Sequence, residues 1–288
     1  MDGTLHTIDG RQLLRFERRL RHPVEKVWQA ITDPAELAGW FPWQVVVDAR
    51  IGGKIEFTHP QGLASAPDAV ITELDPPHVF GYTWNDADLR WELTADDGGC
   101  VLVFTHVFAE RPPSAKFAAG WHLSNDALAS VLDGEPFDVP DGRWAELNRL
   151  YVRAFGLLDG DVVDVEDGGH ELRFTQEVVQ PPAAVWSLLA GSAQVGEQPP
   201  GGCVVDPVPA GPVTELRPGE SIGYPWSVDG TAAGTVRISL LSQDFGTRVV
   251  LVQTVPAALA DCVPSARAAW HDWLIRFADE LDTLAAKR

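Results

Sequence analysis

Between Ser114 and Gly134 the chain places Phe117, Trp121, Leu128 and Leu132 at offsets of 0, 4, 11 and 15. Those offsets put the four apolar side chains along one stripe of a helix. Ser114 is its expected N-cap, and Gly134 the expected stop just past the last turn. Gly120 falls inside this helix, where glycine costs about 1 kcal/mol relative to alanine, so a close approach by another group is expected there. Upstream the period changes. Leu14, Phe16 and Leu20 sit on alternate positions of a strand within 11–21. Val24, Val27, Trp28 and Ile31 then fit offsets of 0, 3, 4 and 7, a helix opened by His22-Pro23. Asp33-Pro34-Ala35-Glu36 restarts a second short helix, capped by Asp33 and ending at Gly39-Trp40-Phe41-Pro42.

Alternation returns after Pro42. Strands are predicted at Val45–Ala49 and Lys54–Thr58 around a Gly52-Gly53 turn, and at Val70–Leu74 and Val79–Trp84 around Asp75-Pro76-Pro77. Two more, Leu89–Thr94 and Cys100–Phe108, flank Ala95–Gly99. A strand, two helices, a run of antiparallel strands and a long helix define an α+β class. In the expected architecture a curved antiparallel sheet wraps the Ser114–Gly134 helix, with a cavity between them. Period-two alternation puts Tyr82 with Trp84 on one face, likewise Leu89, Trp91 and Leu93, then Leu102, Phe104 and His106, then Ile55 and Phe57 with His59 next in phase. The candidate ligand-binding residues are therefore Trp40, Phe41, Phe57, Tyr82, Trp84, Trp91, Phe104, His106 and Trp121, with Trp40-Phe41 at the entrance. The competing reading is that the same rings simply fill a core, since a buried ring contributes about 1.5–3 kcal/mol with or without a ligand.

The second half echoes the first. Leu172-Arg-Phe174, Pro181 and Trp186 match Leu14-Arg-Phe16, Pro23 and Trp28 at a spacing of 158. Thr214-Glu-Leu216 and Gly223-Tyr-Pro-Trp226 match Thr72-Glu-Leu74 and Gly81-Tyr-Thr-Trp84 at 142. Val249–Thr254 is matched to Val101–His106 at 148, and Trp270-His271 to Trp121-His122 at 149. Ordered anchors of this kind predict an internal repeat. The drop from 158 to 142 removes the stretch that holds Trp40-Phe41 and the Gly-Gly hairpin, so the second copy is expected to be degenerate. Arg143–Phe155 has helical spacing at Trp144, Leu147 and Tyr151. Residues 157–171 carry six acids and no Lys or Arg, as expected of a solvated linker. The predicted division is 11–156 as domain 1, 157–170 as linker and 171–288 as domain 2.

Composition narrows the function classes. Eleven Trp against three Tyr is a heavy load of large apolar rings, which line pockets as well as cores. A formal net charge of −19 speaks against nucleic acid and anionic membranes as partners. No run of apolar residues is long enough to span a bilayer, and the first residues lack a signal-peptide pattern. Cys100, Cys203 and Cys262 are scattered and odd in number, as suits reduced thiols in the cytoplasm.

No GxSxG, HExxH or phosphate-loop motif occurs, and no cofactor is expected. Asp86, Asp88, Asp96 and Asp97 lie in turns without calcium-loop spacing, so no metal is expected. His106 and His122 are the best titratable candidates, but acid–base chemistry needs a second group within reach, for which Glu73 and Tyr82 could serve, though the sequence does not place them. The bland alternative is a pair of hydrogen-bonded structural histidines.

The segments FERRLRHPVEKVWQAITDPAELAGWF, Gly52-Gly53, Gly81-Tyr-Thr-Trp84 and Gly120-Trp121-His122 resemble the bacterial heat-shock-protein-90 ATPase activator homologue family of the START-like (SRPBCC) superfamily. The resemblance covers residues 11 to about 156 well and 171–288 weakly. It implies a helix-grip fold and a hydrophobic cavity for a lipid-like, polyketide-like or other apolar ligand. The eukaryotic activators carry a further N-terminal domain with an NxNNWHW motif, which this sequence lacks. The leading expectation is binding of a small apolar molecule in domain 1 without catalysis. A cyclase- or aromatase-type enzyme and a chaperone-associated module with an unidentified protein partner stay open as alternatives.

Overall fold

The computed structural model describes residues 3–58, 68–166, 168–206, 208–228, 231–243 and 246–285. His59 lies outside them. The chain divides into two compact units, Met1–Phe155 and Gly156–Arg288.

The first unit runs β1 (Gly3–Ile8), β2 (Arg11–Leu20), α1 (Val24–Thr32), α2 (Pro34–Leu37), β3 (Gln44–Val47) and β4 (Lys54–Thr58). It continues with β5 (Ala69–Asp75), β6 (Val79–Trp84), β7 (Ala87–Asp96), β8 (Gly99–Phe108), α3 (Ser114–Leu132) and α4 (Arg143–Ala154). The eight strands form one antiparallel sheet in the order β1-β2-β8-β7-β6-β5-β4-β3. Strict alternation along β8 buries Cys100, Leu102, Phe104, His106 and Phe108 on one face. Register aligns Phe104 with Phe16 on one side and Trp91 on the other, so one row of rings crosses the sheet. On that face Trp121 of α3 packs its indole against Phe104, ring centres 4.2 Å apart, and Leu128 and Leu132 complete the buried stripe.

The ends of α3 are set by local chemistry. Pro113, not Ser114, is the N-cap; Ser114 is the first helical residue, and its buried hydroxyl donates to the Arg111 carbonyl. At the other end Gly134 has φ +79°, its N–H donates to Val131 and that of Glu135 to Ser130. This paired closure satisfies two orphan carbonyls and needs a left-handed residue, which glycine supplies without strain.

Gly120 corrects an expectation. A Cβ built there meets nothing within 4 Å, so no neighbour approaches it closely. Gly120→Ala is therefore expected to stabilise the first unit by about 1 kcal/mol, read as an upward shift of its urea midpoint.

Helix α4 lies against α3 and buries Tyr151 fully. The Tyr151 hydroxyl meets His122 Nδ1 at 2.8 Å and accepts from the Gly3 N–H at 3.3 Å. That bond ties in β1, a strand the hydropathy pattern did not announce. His122 is thus engaged with α4 and, at 3.5 Å, with Asp126, and not with the cleft described below.

The second unit contains β9 (Asp161–Asp164), β10 (His170–Val178), α5 (Pro182–Ala190), β11 (Glu215–Arg217), β12 (Ser221–Val228), β13 (Thr231–Gln243), β14 (Gly246–Val255) and α6 (Val263–Ala285). Its strand order is β11-β12-β13-β14-β10-β9. Part of the stretch expected as linker is thus strand β9, paired with β10 from Asp161 to Asp164. Its acids sit at a sheet edge, where charge discourages further strand addition.

Two local devices recur in both units. Gly81 faces Glu73 across a strand pair, as Gly223 faces Glu215, and in each a Cβ would press on the glutamate Cβ at 3.1–3.3 Å. The indole of Trp121 donates to His106, and that of Trp270 donates to Gln253. The second device corrects the spacing expected between β8 and β14. Inward residues are even-numbered in β8 and odd-numbered in β14, so a spacing of 148 would set a buried residue against an outward one. Register pairs Leu14 with His106 and Leu172 with Gln253, which sets the two indole acceptors 147 apart.

Candidate functional site

A cleft of about 350 Å³, much of it open mouth, lies in the first unit between α1, α2 and the β3–β7 part of the sheet. Its floor is Ile55, Phe57, Phe80, Tyr82 and Trp91, all buried on the inner face of the sheet. Val45 and Val47 of β3 form the far side, and Ile31, Leu37, Trp40 and Phe41 close the near side.

Trp40 is placed by a defect in α1. Pro34 has no N–H to offer the Ala30 carbonyl four residues back, so that acceptor would be left open at the buried helix end. The Trp40 indole N–H donates to it at 2.8 Å. The ring is thereby fixed edge-on to Trp91, 6.1 Å away, and forms a wall. Phe41, one residue on, is half-buried, and its ring lies 6.0 Å from Phe57 and 5.6 Å from Trp40. The pair expected at the entrance divides its work: Trp40 clamps the short helices to the sheet, and Phe41 sits at the mouth.

Of the nine candidate residues, Trp40, Phe41, Phe57, Tyr82 and Trp91 line the cleft. Trp84, Phe104, His106 and Trp121 stand outside its lining. Trp84 stacks on the back of Phe57, centroids 4.5 Å apart. Phe104 is fully buried between Trp91 at 4.3 Å and Trp121 at 4.2 Å. Six lining residues were not singled out as candidates: Ile31, Leu37, Val45, Val47, Ile55 and Phe80. Alternation with Phe57 and Tyr82 marks Ile55 and Phe80 in the sequence; nothing local marks the other four, which are brought in by how the helices and β3 fold over the sheet.

His106 serves a structural bond. Its Nδ1 accepts from the Trp121 indole at 3.2 Å, and the rings of Phe108 and Phe117 cover it at 4.9 and 4.8 Å. Burial first, then the nearby Arg11 charge, lowers its pKa to about 3, against ~6.5 for a histidine in an unfolded chain. The folded imidazole stays neutral while the unfolded one takes up a proton below pH ~6.5. Stability is thus lost as pH falls from ~6.5 toward about 3, by up to about 1.4 kcal/mol per pH unit. His106→Gln, which installs the acceptor seen at Gln253, is expected to flatten the fall of the urea midpoint between about pH 6.5 and about pH 5; an unchanged slope would refute the assignment.

Burial also pushes the Tyr82 hydroxyl up to about 12, with a smaller opposing contribution from the neighbouring Trp91. Tyr82 is therefore a neutral donor and not a base. Among the described residues no group of three His, Cys, Asp or Glu is gathered as a metal site, and no helix is long and apolar enough to cross a membrane.

An antiparallel sheet gripping a long helix, with two short helices closing one end over an apolar cleft, is the START-like helix-grip arrangement. Residues 21–133 match the model of the family described as Activator of Hsp90 ATPase homolog 1-like protein. The match runs from the turn before α1 to the end of α3 and takes in every element of the cleft. No curated protein matches the chain. Among solved structures, a conserved protein of unknown function from Enterococcus faecalis is 19% identical, over 54% of this chain and 90% of its own, with a TM-score of 0.47. CalU16 from Micromonospora echinospora is 19% identical over 52% of this chain and 94% of its own, TM-score 0.42. A protein from Nitrosomonas europaea is 22% identical over 42% and 94%, TM-score 0.37.

Proposed function

We propose that the first unit binds a small apolar molecule, lipid- or polyketide-like in character, in the cleft between Trp40 and Phe57, and that it does so in the cytoplasm without catalysing a reaction. One observation carries this reading: the lining is eleven residues of which none is charged, and five are Trp, Phe or Tyr of the predicted set. Burying an apolar ligand against such a surface is favourable at roughly 25 cal/mol per Å². A cyclase-type reaction would need a second polar group beside Tyr82, and His106, the expected partner, is bonded to Trp121 outside the lining. We read the second unit as a degenerate copy of the first. In support, between α5 and β11 the described residues hold a short 3-10 turn and isolated bridges where the first unit has β3 and β4. The cleft's far wall therefore has no counterpart there.

The test is titration of the full chain with the neutral dye N-phenylnaphthylamine, alongside native mass spectrometry of protein purified from its host. Saturable dye fluorescence at one site per chain, or a co-purifying apolar molecule, is expected. Absence of both would overturn the reading.

A further inference from the structure

The sheet of the first unit ends at β3 (Gln44–Val47), and among the described residues no strand pairs with its far edge. One hydrogen bond shows which backbone groups point that way. The Asp48 N–H donates to the Lys54 carbonyl at 2.9 Å, and the pairing of β3 with β4 sets Val46 opposite Glu56. Along an antiparallel strand the residues bonded to one neighbour alternate, and each turns its N–H and C=O to the same side. Gln44, Val46 and Asp48 therefore turn theirs toward β4, while Val45 and Val47 turn theirs away from the sheet. No hydrogen bond to these outward groups occurs among the described residues. Edges are commonly blunted by charge, proline or a bulge. Strand β9 carries Asp161 and Asp164, β11 carries Glu215 and Arg217, and β1 exposes Thr4, His6 and Thr7. Strand β3 reads Gln-Val-Val-Val, without charge or proline, and its Val46 is 65% exposed.

We propose that β3 is a dimer interface, at which the same strand of a second copy of this chain pairs antiparallel about a two-fold axis. Self-complementarity selects this occupant. With Val46 opposite the partner's Val46, Val45 meets the partner's Val47 and Val47 meets the partner's Val45. Both are hydrogen-bonded pairs, so every outward N–H and C=O of these residues is used. The exposed face matches in the same register. Its row Gln44, Val46, Asp48 runs against its own reverse, which brings the two exposed valines together and sets each Gln44 amide against the partner's Asp48 carboxylate. Arg50 holds Asp48 Oδ2 at 2.9 Å, and Oδ1 accepts from the amide. A register shifted by two residues would set Val46 against Gln44 or Asp48 instead. On the inner face Val45 and Val47 form the far side of the cleft, so in the dimer the apolar wall of each cleft continues into the other. The pairing does not rest on what the cleft binds. A four-residue strand makes a small interface, so the dimer is weak and forms as concentration rises.

The experiment is sedimentation velocity of the full chain from about 5 to about 500 µM, a span suited to weak association, with hydrogen exchange by peptide over the same span. The mass is expected to rise from monomer to dimer. The peptide carrying Val45 and Val47 should gain protection in step, while peptides of β1 and β9 do not. Val46→Glu sets two carboxylates face to face beside both Asp48 side chains, and it is expected to stay monomeric throughout. Mixing nitrogen-15-labelled Val46→Glu with Val46→Lys should restore a dimer, seen as the mixed mass in native mass spectrometry, which a misfolded variant would not form. The proposal is overturned by a wild-type chain that stays monomeric, by Val46→Glu dimerising as the wild type does, by protection arising on another strand, or by a mixture that yields no mixed dimer.

Discussion

Phe104→Ala is expected to destabilise the first unit by about 3–5 kcal/mol, the range for removing a large ring from a well-packed core. Phe104 has no exposed surface, and its ring is within 6.4 Å of three others, on Trp91, Trp121 and Phe16. These partners come from β7, α3 and β2, so the cavity would open where sheet and helix meet. None can move in to fill it. The Trp121 indole is pinned by His106, and Phe16 is packed edge-on against Tyr151. A loss of this size is a large part of a typical domain's ~5–15 kcal/mol. Hydrogen exchange resolved by peptide is the measurement, because it separates the amides of β2, β7 and β8 from those of the second unit. Protection in those strands should fall by two or more orders of magnitude, at roughly 1.4 kcal/mol per factor of ten. A loss below about 1.5 kcal/mol would mean that the site can collapse, contrary to the packing described.

Trp40→Ala is expected to cost about 3–5 kcal/mol as well, and to abolish dye binding. Two effects combine. The cleft loses its near wall, and the Ala30 carbonyl loses the indole donor that stands in place of the missing Pro34 N–H. Trp40→Phe separates them. The phenyl ring restores much of the wall but not the hydrogen bond, so it should regain part of the dye binding while leaving about 1–3 kcal/mol of the destabilisation. If Trp40→Ala binds the dye as the unaltered chain does, the ligand site is elsewhere.

Much of this fold is legible in the residues because it rests on local periodicity. Burial of every second residue in β8 and of the Trp121, Leu128, Leu132 stripe in α3 follows from strand and helix geometry acting on an apolar pattern. Gly134 ends α3 because only a residue at ease with positive φ closes the helix that way. Strand β1 escaped notice because it has no alternation to show. Its buried end, Gly3, is held by the Tyr151 hydroxyl, nearly the length of the unit away in sequence. Strand β9 escaped because its acids mark it as solvated, and a sheet-edge strand is solvated too.

The candidate site was legible only in part, for a different reason. Alternation identifies which residues face inward; it does not say which inward residues touch one another and which face a void. Phe104 and Phe57 have the same pattern in sequence, yet α3 covers the first and leaves the second open under Phe41. The sequence by itself determined the elements, the inward faces and the apolar character of the first unit, because each of these depends on neighbours a few residues apart. The tertiary structure alone decided that Trp40 completes α1 and that His106 holds Trp121. Each of those facts depends on a hydrogen bond between residues ten or fifteen positions apart, and no local pattern encodes it.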